Sequence, residues 1–263
     1  MERMERVAKV LLLLLVLPSL VWGATQIFSE NFDDQPSKAG IYPFIYRIYG
    51  AEATESNYQW VTGRGGSGYA LANVSAPVWI EWSTDFGGND PGDWSTNEIY
   101  GSSWFYLPNT FSGDIYKYMY WNFGVEDKIE IDLNSTTSLF VETYDNSAYV
   151  NSSWPGATVS SGTWHHVELY INFSTHVVKV WYDRPAGDYT SESTTTTVGT
   201  YLKYYRVISG WDSNHMDTIG FGCFQNGGGT LARYIDDVEL WDGIPDPSTP
   251  TIRSGGVRSG GIR

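Results

Sequence analysis

The segment Lys128-Ile-Glu-Ile-Asp-Leu-Asn134 sets a polar residue at every second position. On an extended backbone Glu130, Asp132 and Asn134 then share one face, and Ile129, Ile131 and Leu133 the other. Paired carboxyl groups about 5 Å apart are the working parts of retaining glycoside hydrolysis, one holding a proton and one attacking. The third polar position here is an amide, which cannot give or take that proton at neutral pH, so Glu130 and Asp132 alone stand as candidates. A second constellation lies in Trp164-His-His-Val-Glu-Leu-Tyr-Ile171, where His166, Glu168 and Tyr170 share a face opposite Val167, Leu169 and Ile171. His166 and Tyr170 are the candidate base and acid of this strand, but the strand rise separates them by about 13 Å, too far to act together on one atom.

The chain also holds 12 Trp and 19 Tyr. Flat rings with an apolar face and a polar edge suit the C–H faces and hydroxyls of sugars, and they equally fill a β-sandwich core. Strand parity sorts them. Trp104 and Tyr106 share a face with Tyr100, Tyr118 and Tyr120 share one with Tyr116, and Trp121 and Phe123 take the opposite side. The expectation is a shallow groove lined by Trp104, Tyr106, Tyr118, Tyr120 and Trp181 beside Glu130 and Asp132, with a glycan or polysaccharide as partner; most other rings belong to the core.

These residues need rigid strands to position them. Alternating apolar and polar segments, punctuated by Gly, Pro, Asn, Asp and Ser, predict strands over Gln26–Phe32, Pro77–Thr84, Ile99–Tyr106, Tyr116–Phe123, Lys128–Leu133, Ser138–Tyr144, Trp164–Ile171, Val177–Tyr182, Thr218–Phe224 and Arg233–Trp241. No long helical period accompanies them, so the expected fold class is all-β, an antiparallel two-sheet jelly-roll sandwich. Cys223 is the only cysteine, which excludes an intrachain disulfide. Acidic residues number 30 against 16 basic, and six of the basic ones, Arg3, Arg6, Lys9, Arg253, Arg258 and Arg263, stand at the two ends. That balance disfavours nucleic acid and anionic membranes and leaves neutral glycans or cations as easier partners.

Residues 1–23 read as a secretory signal peptide: three basic residues, the apolar run Val10–Leu17, and small Val21 and Gly23 at the cut. The run is too short to span a bilayer and no later segment approaches that length, so a secreted protein without a transmembrane segment is expected. Residues 24–243 form the domain. Residues 244–263, rich in Pro, Gly and Arg, form a flexible tail containing the repeat Ile252-Arg-Ser-Gly-Gly and Val257-Arg-Ser-Gly-Gly.

The hairpin from Ser161 to Ile171 followed by Val177-Val-Lys-Val-Trp-Tyr-Asp183, the closing run Tyr234-Ile-Asp-Asp-Val-Glu-Leu-Trp241 and the opening Phe28-Ser-Glu-Asn-Phe-Asp-Asp34 together resemble the concanavalin A-like lectin/glucanase superfamily. Its LamG-like members and the jelly-roll polysaccharide lyases are the nearest comparison. The resemblance implies a carbohydrate-binding jelly roll, with a polysaccharide lyase, a glycoside hydrolase or an adhesive surface protein as its other uses. It further implies paired first and last strands holding a structural calcium, with Asp33 and Asp236 as ligands. Apolar parity slips between Ile235 and Val238, as a β-bulge at Asp236-Asp237 requires, and bulges often re-aim side chains at sites. Lys128–Asn134 resembles the Glu-Ile-Asp strand of family 16 glycoside hydrolases, in which a further Glu stands where this chain has Asn134.

Overall fold

Alternation of apolar and polar side chains writes most of the strands among the described residues. The computed structural model describes residues 24–32, 45–48, 51–52, 58–66, 69–73, 79–83, 92–93, 96–108, 116–123, 127–133, 138–145, 148–208, 211, 215–225 and 234–246. In chain order the strands are β1 (Gln26–Glu30), β2 (Ile45–Ile48), β3 (Ala51–Glu52), β4 (Tyr58–Thr62), β5 (Tyr69–Asn73), β6 (Trp79–Ser83), β7 (Gly92–Asp93), β8 (Glu98–Tyr106) and β9 (Tyr116–Phe123). They continue as β10 (Asp127–Leu133), β11 (Ser138–Asp145), β12 (Ala148–Thr158), β13 (Trp164–Asn172), β14 (Val177–Tyr182), β15 (Leu202–Val207), β16 (His215–Met216), β17 (Thr218–Gln225) and β18 (Tyr234–Trp241). The signal peptide, the tail beyond Asp246 and Asp33 lie outside the described residues. Among the described residues no helix is long and apolar enough to cross a membrane.

The first sheet runs β15-β14-β13-β8-β18-β5-β4, with β1 also paired to β18; the second runs β12-β11-β10-β9-β17-β6-β2-β3. Every ladder is antiparallel. The protein is thus an all-β, two-sheet sandwich. Its core is the set of side chains that parity turns inward: Val167, Leu169 and Ile171 from β13 meet Ile129, Ile131 and Leu133 from β10 and Met119, Trp121 and Phe123 from β9 in one buried cluster. At the centre of the contact the ring of Trp121 lies on the backbone of Gly101, where a Cβ would come within 2.5 Å of Trp121 Cζ2 and 2.9 Å of Phe221 Cζ. Only glycine lets the sheets approach this closely.

Two bulges decide what faces outward. In β18, Asp236 pairs with Trp104 and Glu239 pairs with Ser102, so the intervening residues are out of register, and Asp237 takes a φ of 45°. This is the slip that the apolar pattern predicts. In β9, Met119 pairs with Ile131 while Lys117 pairs with Asp132, skipping Tyr118. That bulge turns Tyr118 inward, 3% exposed, with its ring stacked on Phe105 at 4.0 Å. The expectation that Tyr118 lines a groove beside Tyr120 is corrected here, because the simple two-residue period fails at the bulge.

Candidate functional site

The outer face of the first sheet divides into a covered half and an open half. The covered half lies under a strap, residues 183–201, which leaves β14 and returns as β15. Beneath it Tyr100, Tyr170, Trp181, Tyr189, Leu202 and Trp241 form a second apolar cluster. Arg184 ties the strap down: Nε donates to Glu168 Oε2 at 2.7 Å, Nη2 to Oε1 at 3.0 Å and Nη1 to the Ser191 carbonyl at 3.1 Å. The Tyr100 hydroxyl donates to the same carboxylate at 2.6 Å, and the guanidinium lies 4.4 Å from the Trp181 ring centre. Burial works against the charge on Arg184, but Glu168 and Tyr100 together more than offset it and the guanidinium is held in its charged form. At the far end the Glu192 carboxylate accepts the backbone N–H groups of Thr200, Tyr201 and Leu202. The Trp181 indole donates to the Glu192 carbonyl at 3.3 Å.

Trp181 is therefore completely buried and lines no groove. Its register with Glu168 puts it on the outer face, but the strap that covers it is a tertiary contact that alternation cannot report. Tyr170 lies in the same cluster, its oxygen accepting from Asn172 Nδ2 at 3.2 Å, and burial holds its hydroxyl well above the usual phenol range. His166 is buried too: Nδ1 donates to the Arg184 carbonyl at 3.2 Å, and burial lowers its affinity for a proton, with Glu168 opposing. The two are held in place as parts of the strap's seat rather than converging on a common point.

The open half begins where the strap ends. Trp164 on β13 pairs with Tyr106 on β8, and Tyr106 pairs with Tyr234 on β18. The three rings are partly exposed and form one cluster, with centroids 5.4 Å apart for Trp164 and Tyr106, 5.2 Å for Tyr106 and Tyr234, and 6.5 Å for Trp164 and Tyr234. One register step further, Trp104 is stacked on His166 at 4.7 Å and carries the Arg64 guanidinium over its ring at 4.2 Å. Both residues hold Trp104 tightly, which leaves Trp164 and Tyr234 as the candidate stacking surface beside Tyr106. Sequence reasoning missed these two as site residues. The signal was present: each opens its strand with the parity of the polar residues, Trp164 with His166 and Tyr234 with Asp236.

Arg64 also closes the bulge. Its Nε donates to Asp237 Oδ2 at 2.9 Å, its backbone N–H to Asp236 Oδ2 at 2.8 Å, and the Asp237 N–H reaches Asp236 Oδ1 at 2.8 Å. Burial pushes the Asp236 carboxyl up to about 7, against the pull of these amides. Calcium asks for a shell of oxygens. Asp236 is instead met by two N–H donors with a guanidinium alongside, so its surroundings do not fit the expected cation ligand.

Glu130 and Asp132 stand on the outer face of the second sheet, across the sandwich from Trp104 and Tyr106, so the rings and acids do not share a groove. A cross-strand row there reads Glu142, Glu130, Tyr120, Gly220 and Glu81 from β11, β10, β9, β17 and β6. Tyr120 is partly exposed, while Glu130 and Asp132 are fully buried. Carboxylate oxygens of Glu130, Asp132 and Glu142 lie within 4.8 Å of one another, and Lys128 Nζ sits 2.9 Å from Glu130 Oε1. Glu142 thus supplies from the neighbouring strand the third acid that Asn134 fails to supply along β10. Its mate is set by register, which spacing along one strand does not reveal.

No protein-family model and no curated protein matches the sequence. Solved structures do resemble the fold. Domain 4 of AbnA, a GH43 extracellular arabinanase from Geobacillus stearothermophilus, solved with arabinotriose, aligns with a TM-score of 0.57 at 15% identity over 86% of this chain and 96% of that one. The receptor-binding domain of botulinum neurotoxin D aligns with a TM-score of 0.54 at 14% identity over 84% of this chain. The chain spans about half the length, 50%, of that toxin domain. The cellulose-induced protein Cip1 aligns with a TM-score of 0.51 at 12% identity over 81% of this chain and 96% of that one. At such identities the likeness is one of fold, and the fold is the two-sheet antiparallel β-sandwich.

Proposed function

We propose that this protein is a secreted, non-catalytic glycan-binding module of the concanavalin A-like kind, and that the cluster of Trp164, Tyr106 and Tyr234 is its sugar platform. One observation carries the reading: three partly exposed rings from three adjacent strands meet on the outer face of the first sheet. Partly exposed aromatic rings beside polar groups are the surface that sugar C–H faces and hydroxyls fit. Arg64, over the neighbouring Trp104 ring, and its partner Asp237 offer a donor and an acceptor on the same face. The neighbours lend support, since the arabinanase domain was solved with arabinotriose and a botulinum neurotoxin D ligand-binding domain with N-acetylneuraminic acid. Residues 1–23 act as the export signal in this reading.

The test is binding to a glycan array by the wild type and by Trp164→Ala. The expected result is a defined set of glycans retained by the first and lost by the second, with both folded by circular dichroism. New reducing ends, or unsaturated products absorbing in the ultraviolet, would replace this reading with a hydrolase or a lyase.

A further inference from the structure

Resting on that reading, we infer that the platform takes a single neutral sugar unit, a chain end or a short branch, rather than a run of units or an acidic polymer. The first ground is the shape of the cluster. Trp164, Tyr106 and Tyr234 stand on three neighbouring strands, and rings held perpendicular to a sheet there would put the outer two about 10 Å apart, two strand spacings. They are 6.5 Å apart, with each only 5.2 to 5.4 Å from the middle ring. The rings lean together into a triangle instead of forming a track. Such a patch offers one compact apolar surface with ring centres no more than 6.5 Å apart, and among the described residues the row has no second platform in line with it: at the next step Trp104 is stacked on His166 and lies under Arg64.

The second ground is charge. Recognition of a uronate, sialate or sulfate calls for a cation left to meet the ligand. On this face Arg64 is matched by Asp237, with Nη2 of the one on Oδ2 of the other. Arg184, the next guanidinium along the face, is matched by Glu168 at 2.7 Å. His166 is biased toward its neutral form by burial. Among the described residues, an acidic sugar would meet guanidinium groups already paired with carboxylates. Hydroxyls, by contrast, find both a donor and an acceptor in the Arg64–Asp237 pair.

The experiment is calorimetric titration of the whole protein with galacto-oligosaccharides from one to six units, with galacturonate oligomers of matching length, and with arabino- and cello-oligosaccharides as other neutral probes. Measurements at low and high salt accompany each. The expected result is binding of at least one neutral series with an affinity that changes by no more than about threefold from disaccharide to hexasaccharide, insensitive to salt, with the acidic oligomers no tighter. Tyr234→Ala should lose this binding, and Tyr120→Phe, on the opposite sheet, should keep it. An affinity that climbs about tenfold or more with chain length, or that requires the acidic series and falls with salt, overturns the inference while leaving glycan binding intact. Failure of the folded protein to bind any glycan on an array overturns the underlying reading, and this inference with it.

Discussion

Replacing Arg184 by methionine removes the positive half of a buried pair while keeping most of the side-chain volume. The carboxylate left behind, Glu168, is 1% exposed and retains the Tyr100 hydroxyl at 2.6 Å. Breaking a buried pair from one side costs about 3–5 kcal/mol, because the remaining charge is neither hydrated nor matched. For a domain of this size each kcal/mol lowers the melting temperature by about 2–4 °C, so Arg184→Met should melt roughly 6–20 °C below the wild type. The loss is expected to begin locally. With the bond to the Ser191 carbonyl gone, amide hydrogen exchange should rise first across residues 183–201, before the central strands respond. The double variant Glu168→Gln/Arg184→Met removes both charges together, and replacing a buried pair by groups without charge is often nearly neutral. It should recover most of the loss. Calorimetric scans of the three proteins decide the matter: a single variant within about 1 kcal/mol of wild type, or a double variant no better than the single, would refute the claim that this ion pair holds the strap.

Two further expectations follow from packing and pH. Gly101→Ala forces a methyl group against Trp121 and Phe221 and should destabilise by about 1–3 kcal/mol, and adding Trp121→Phe, which shortens the ring in its way, should return part of that in urea unfolding. Asp236, pushed up to about 7 from its ordinary 3.8, binds a proton in the folded state that the unfolded chain releases, so its contribution is full below about pH 4 and is lost as pH rises to about 7. Asp236→Asn should remove that slope from the stability profile over the same window, and an unchanged slope would assign it to another group.

The strands that sequence reasoning found are the ones with clean alternation. Tyr116–Phe123 and Val177–Tyr182 match to the residue, and the slip in β18 matches the bulge at Asp237. Among the strands not predicted, β12 contains Pro155 and two serines, and β15 reads Leu-Lys-Tyr-Tyr-Arg-Val, with aromatics on both parities. The site was legible only in fragments. Parity put Trp104 and Tyr106 on one face of their strand, but which outward positions stay open depends on the strap, and which acids meet depends on the register of β10 with β11. Both are contacts between segments distant in sequence, and a local period carries no information about them. Tyr118 failed for the opposite reason: one extra residue in β9 reversed a local rule that held on either side of it.

The pairing of β1 with β18 has a mechanical consequence. Gln26, at the start of β1, faces Trp241, at the end of β18, and the Thr25 and Asp242 backbones bond just beyond them. Tension applied through the two ends of the domain therefore acts on the same end of one ladder and loads its hydrogen bonds one after another, peeling β1 away like a zipper. A shear geometry would load all of them at once.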